Sequence, residues 1–135
     1  MKNFLLLLIV TFFSYGQTQT EINKILSELS NEMNKNCPMV IDECSTMMST
    51  MGGMGMVVYN ISVDTKCLEK LMEVLSWDSY KSSWEINQNT VIKNSFCSNP
   101  SFQTFRDFGI KVSWVYSDLN GIYIAKIDAS DEDCK

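Results

Sequence analysis

Between Cys44 and Met56 the chain carries five methionines, Met47, Met48, Met51, Met54 and Met56, interleaved with Gly52, Gly53 and Gly55. Thioether and thiolate groups are soft ligands that select Cu(I), and methionines about three residues apart on a glycine-rich loop can converge on one ion. Cys44 and these five methionines therefore form a candidate Cu(I) set, and no other cofactor is expected. Methionine is also an adaptable apolar filler, so the same stretch reads otherwise as a mobile or packed loop or as a greasy contact surface for a partner. The chain has no histidine, which counts against a metal centre.

The lack of histidine also removes the usual activator of a serine or cysteine nucleophile. Asp42 and Glu43 are neighbours in a strand-like stretch and would point to opposite sides, a poor geometry for paired acid and base work. A carboxylate-dependent hydrolase would need one of them beside a lysine in an open pocket. Asp128, Asp131, Glu132 and Asp133 lack the alternating oxygen ligands and central glycine of a calcium loop, so they read as a solvated acidic tail. Trp77, Trp84, Trp114, Tyr116 and Tyr123 stand at helix or strand spacing and are assigned to the core, with a peptide- or carbohydrate-binding surface as the alternative.

The elements that position these residues follow from capping and periodicity. Residues 1–16 combine a basic Lys2 with the apolar run Phe4 to Phe13, too short to span a bilayer but suited to a secretory signal cleaved after Gly16. No stable membrane insertion is expected after cleavage. The remaining residues, 17–135, are read as one domain. Cleavage removes only Lys2 among the charged residues, leaving ten basic against 16 acidic side chains and a net charge of −6. That balance argues against nucleic acid as a partner and permits a basic protein.

Thr18 and Glu21 have capping-box spacing, and Ile22, Ile25, Leu26, Leu29 and Met33 continue as one helical face to about Lys35. Met39 to Ile41 and Met56 to Val63 read as strands around a Cys44 to Gly55 loop. Asp64 caps a second helix with Cys67 or Leu68, then Leu71, Met72 and Leu75, as its stripe, running to about Trp77. The stretch from Asp78 to Gln88 reads as a loop or broken helix, followed by a third helix from Asn89 to Cys97. Asn99-Pro100 opens a fourth, stopped by Gly109. Two further strands, Ile110 to Ser117 and Ile122 to Asp128, flank Asp118-Leu119-Asn120-Gly121. A three-residue bulged turn there pairs Tyr116 with Ile124 and Trp114 with Lys126, whereas a two-residue turn puts Trp114 beside Ile127; aspartate at the first turn position favours the former. The order predicts a disulfide-stapled α+β domain, an antiparallel sheet of about four strands with three to four helices on one side.

Five cysteines, Cys37, Cys44, Cys67, Cys97 and Cys134, in an oxidising compartment imply two disulfides and one odd thiol. Spacing leaves fifteen arrangements open. If the first two strands pair antiparallel around their loop, Cys37 approaches Cys67, and Cys44 is left at the loop end as the free thiol.

Pro38 to Asp42 after an amphipathic helix, the strand with Tyr59, Cys97-Ser98-Asn99-Pro100, Gly109, Tyr116 to Gly121 and Asp133-Cys134 together resemble a loose group of small exported bacterial proteins of unassigned function. The resemblance implies a periplasmic or secreted α+β domain in which Cys97 pairs with Cys134; Cys37, Cys44 and the methionine-rich loop depart from its pattern. The functional expectation is a non-enzymatic exported protein that binds another envelope or secreted protein, as an inhibitor or immunity-type partner. A Cu(I)-binding periplasmic protein is the second reading and a small carboxylate-dependent hydrolase the third.

Overall fold

The computed structural model describes residues 17–135; the signal segment expected over residues 1–16 lies outside them. Thr18 starts helix α1 (Gln19–Asn34) through the capping box that its sequence announces. The Thr18 hydroxyl accepts the Glu21 N–H at 3.3 Å, and the Glu21 carboxylate accepts the Thr18 N–H at 2.7 Å. Ile22, Leu26, Leu29 and Met33 form its buried face. After it come β1 (Met39–Asp42), β2 (Ser45–Gly53) and β3 (Met56–Val63), then α2 (Thr65–Leu71), α3 (Trp77–Ser98), a 3-10 turn over Pro100–Phe102, α4 (Gln103–Asp107), β4 (Lys111–Asp118), β5 (Tyr123–Ala129) and a final 3-10 turn, Asp131–Cys134.

The strands form one five-stranded sheet in the order β1-β2-β3-β4-β5. It is mixed rather than wholly antiparallel: β3 and β4 run parallel and the other neighbours antiparallel. The parallel pair follows from the crossover between them. At about 1.5 Å per residue the 22 residues of α3 span about 33 Å, which exceeds the roughly 27 Å of an eight-residue strand. The helix therefore returns the chain to the end where β3 began.

The expected Cys44 to Gly55 loop is instead β2 and a two-residue hairpin turn, Met54-Gly55, with φ of +52° and +71°. Both central residues lie in the left-handed region, as a type I′ turn demands. No Asn-Gly or Asp-Gly pair marks this turn, so the glycines read as loop. The expected break from Asp78 to Gln88 is the first half of α3, capped by Ser76, whose hydroxyl accepts the Ser79 N–H at 3.3 Å. Trp84, Ile92 and Phe96 are its buried residues, while Ser82, Ser83, Asn87 and Asn89 are exposed. Burial of a few large side chains outweighs the weak helix propensity of the exposed ones. In contrast, α2 is shorter than expected and stops at Leu71, with Glu73 at φ +53°.

All helices lie over one face of the sheet. Val57, Tyr59, Ile61 and Val63 of β3 point to that face, and their β4 partners include Val112, Trp114 and Tyr116. Helix α1 crosses β2 so closely that a Cβ on Gly52 would stand 2.0 Å from the Leu26 carbonyl oxygen. The Asn34 side chain also borders β2, donating to the Thr50 carbonyl at 2.9 Å and accepting the Thr50 N–H at 2.6 Å. Because β1 covers only the Ser45 to Met47 part of β2, Asn34 does for Thr50 what a neighbouring strand would do. The Arg106 guanidinium covers the end of α3, donating to the carbonyls of Phe96 and Asn99.

At the β4–β5 turn, Gly121 N–H donates to the Asp118 carbonyl at 3.0 Å and Asp118 N–H to the Ile122 carbonyl at 2.8 Å, with Gly121 at φ +79°. This is the three-residue turn. The pairings expected from it are nevertheless displaced, because an extra residue at Ile124 shifts the register: Tyr116 faces Ala125 and Trp114 faces Ile127. The bulge lets both Ile124 and Ala125 be buried.

The disulfides are Cys44–Cys67 and Cys97–Cys134, and Cys37 is the free cysteine. Pairing of Cys37 with Cys67 is thus overturned, and so is Cys44 as the odd thiol. The cause is β2 itself. Its antiparallel register with β3 sets Ser45 opposite Val63, Asp64 N–H donates to the Cys44 carbonyl at 2.8 Å, and Asp64 caps the helix turn that carries Cys67. Cys37 precedes β1, whose Met39 pairs with Met47 further along β2.

Gly52→Ala is expected to lower stability by about 2 kcal/mol, since the Leu26 backbone must move to admit the methyl group; a urea midpoint unchanged from the parent would contradict this seating. Replacing both Cys97 and Cys134 by alanine releases a cross-link over 37 residues and is expected to cost about 4 kcal/mol in the same assay.

Candidate functional site

Where α1 ends, cover of the sheet passes to α2 and α3, and a cleft of about 250 Å³ remains between them and the strands. Ile61 of β3 with Trp114 and Tyr116 of β4 form its floor; these project to the helix side by strand alternation. Trp84, Gln88 and Ile92 of α3 form one wall, a face set by their spacing of four. Leu68 of α2 stands beside Cys67 and is held there by the disulfide to Cys44. The rim is Ile41, Asp42 and Ser45, where β1 turns into β2.

The lining is aromatic and aliphatic with few polar groups. The Trp84 and Tyr116 rings meet edge to face, centroids 5.1 Å apart at 89°, and Trp77 adjoins Trp84 at 5.4 Å. Trp114 lies against Tyr59 and Phe102. Burial, and secondarily the Asp42 charge, raise the Tyr116 phenol above the usual tyrosine range. Burial alone pushes the Tyr59 phenol up to about 12. Asp42 is exposed, and its Oδ1 accepts the Cys44 N–H at 2.9 Å, which orients the carboxylate at the rim.

At the rim Ile41 is half exposed on the edge strand β1, whereas Val40, paired with Thr46, points to the opposite face of the sheet. On α2 and the residues after it, Leu68 is buried whereas Leu71, Met72 and Leu75 are exposed. This stripe, visible in the sequence as helix periodicity, leaves the core at Leu68 and continues outside it.

The sequence-based candidates are distributed otherwise than expected. Cys44 is oxidised in a disulfide and offers no thiolate. Met47 packs on the core, Met48 sits at the irregularity between Met47 and Ser49, Met51 is exposed opposite Val58, Met54 occupies the turn and Met56 begins β3. Register thus sends these methionines to both faces of β2 and to its tip. Asp42 lines the cleft without a lysine beside it, and Glu43 does not line it. Trp84, Trp114 and Tyr116 belong to the core and the cleft at once, while Tyr123 is exposed. In the acidic tail, Asp133 pairs with Lys93 at 2.8 Å and its carboxyl is held below the usual range by that bond. Ile41, Ser45, Ile61, Leu68, Gln88 and Ile92 went unrecognised as site residues, and only the Leu68 stripe carried a legible signal.

No protein-family model matches the chain, and no curated protein matches its sequence. Its fold is shared with solved proteins. A Pseudomonas aeruginosa protein classed as secreted superposes with a TM-score of 0.67 at 16% identity, over 89% of this chain and all of that one. The pilotin EpsS of the Vibrio vulnificus type 2 secretion system gives 0.63 at 10% identity, over 87% of this chain and 94% of its own. The type II secretion system pilotin AspS of Vibrio cholerae gives 0.58 at 14%, over 86% and 94%. Small exported bacterial proteins therefore have this architecture. Among the described residues no helix is long and apolar enough to cross a membrane.

The two buried phenols set an alkaline limit. Unfolded tyrosine ionises near pH 10, whereas folded Tyr59 holds its proton to about 12 and Tyr116 is raised likewise. Their contribution is complete below pH 10 and lost as pH rises through the folded values, because the unfolded chain releases those protons first. Tyr116→Phe is expected to make the fall in urea midpoint between pH 10 and 12 shallower than in the parent; equal slopes would argue against a buried Tyr116 phenol.

Proposed function

We propose that this chain is an exported, non-enzymatic binding protein that receives a segment of another envelope or secreted protein at the cleft between α2, α3 and the sheet. The observation that carries this reading is the cleft itself, an aromatic and aliphatic concavity whose rim residue Ile41 is half exposed and whose wall residue Leu68 is followed in sequence by exposed Leu71, Met72 and Leu75. A buried concave patch opening on such a rim is the usual form of a docking site. The fold held in common with two type II secretion system pilotins supports a role in the envelope as a component that works by association. Periplasmic or secreted placement agrees with two disulfides. An inhibitory or immunity-type role toward a basic protein is the finer reading that the acidic balance favours.

Photo-crosslinking in the producing cell tests the location. With p-benzoylphenylalanine at Ile41, one discrete protein adduct is expected, and with the same group at Met54, 92% exposed at the opposite end of β2, none. Adducts of equal yield at both positions, or at neither, would overturn the cleft as the binding site.

A further inference from the structure

We infer that the cleft recognises a partner segment by one inserted arginine or lysine side chain with apolar residues on either side of it. This deepens the binding role proposed above and rests on it. Three observations converge.

The first is charge. Among the described residues of the lining Asp42 is the only carboxylate, and none is a lysine or arginine. Among the described residues Asp42 enters no ion pair, although six pairs form elsewhere. Its Oδ1 is fixed by the Cys44 N–H, so the anion is already oriented. The chain is acidic as a whole, so its field attracts a cation.

The second is the lining. Trp84, Trp114 and Tyr116 line the same cleft as that carboxylate, and Asp42 is close enough for its charge to act on the Tyr116 phenol. Aromatic faces attract cations, most of all where water is excluded, and arginine also stacks on them.

The third is size. At about 250 Å³ the cleft is smaller than the roughly 300 to 1,000 Å³ of pockets that enclose a whole small ligand. One long side chain fits that scale. A free amine would leave the exposed Ile41 of the rim, and Leu71 and Met72 just beyond Leu68, uncovered, whereas a peptide carrying the cation has apolar residues to lay against them. Among the described residues the edge of β1 beside the rim has no strand partner on its outer side, and it can meet the main chain of such a segment.

The probe is acetyl-Val-Arg-Val-amide compared with its citrulline counterpart, which keeps the shape and loses the charge. Binding to the folded chain is followed by the indole N–H resonances of Trp84 and Trp114. The arginine peptide is expected to bind at least tenfold more tightly than the citrulline peptide, and Asp42→Asn to abolish that difference while keeping the acceptor for the Cys44 N–H. Asp107→Asn, on α4, is expected to leave it intact. Equal affinity for the two peptides, with both lost on filling the cleft by Gln88→Trp, would overturn cation selection and leave an apolar docking site. A preference that survives Asp42→Asn would overturn the role of Asp42. Absence of any shift at millimolar peptide would overturn the inserted cation; a crosslink at Ile41 would still stand in that case, and its absence would remove the binding role as well.

Discussion

The seating of α1 on β2 is the constraint from which the rest of the molecule is arranged. Backbone meets backbone where Leu26 crosses Gly52, an approach that only glycine allows. One helical turn further on, Thr50 lies buried beneath Ser30, its hydroxyl donating to the Ser30 carbonyl at 3.1 Å, and Asn34 closes the strand edge. These contacts decide which side of the sheet is the helix side. They also use up the edge of β2 beyond Met47, so β1 can be short. Since α1 stops level with Thr50, the Ser45 end of the sheet needs other cover.

That cover comes from the crossover between β3 and β4. Asp64 turns the chain into α2, the Cys44–Cys67 bond ties the first turn of α2 to the start of β2, and Leu68 follows directly. Helix α3 then lies along β4 and β5, its far end attached to the chain terminus by Cys97–Cys134 and by Lys93 with Asp133. The cleft is the space that two separately tethered helices leave over Ile61 and Tyr116. A covalent tether on each side makes its width a property of the fold.

Much of the secondary structure was legible in single residues. Thr18 with Glu21, Asp64, Asn99-Pro100, Gly109 and Gly121 act through hydrogen bonds or dihedral angles within about four residues, so their sequence context is their physical context. The methionine-rich stretch misled because β2 obtains its order from its neighbours. Its Gly52 is required by Leu26, its Thr50 by Asn34, and its Met-Gly turn carries none of the usual hairpin residues. The first half of α3 was obscured for a related reason, since Trp77, Tyr80 and Trp84 are its only core-packing aromatics and stand among serines and asparagines that favour loops.

The sequence by itself determined the caps, the turn at Asp118, the α+β class and the presence of an odd number of cysteines. Each is a local or compositional property. Only the tertiary structure decided that β3 and β4 run parallel, that Cys44 rather than Cys37 meets Cys67, and that Ile124 bulges. It also decided that Asp42, Trp84 and Tyr116 share one cleft. Apart from the Ile124 bulge, which lies within one hairpin, these depend on contacts between residues 20 or more apart, whose outcome is set by how α1 and the crossover cover the same sheet face, and no window of neighbouring residues contains that competition.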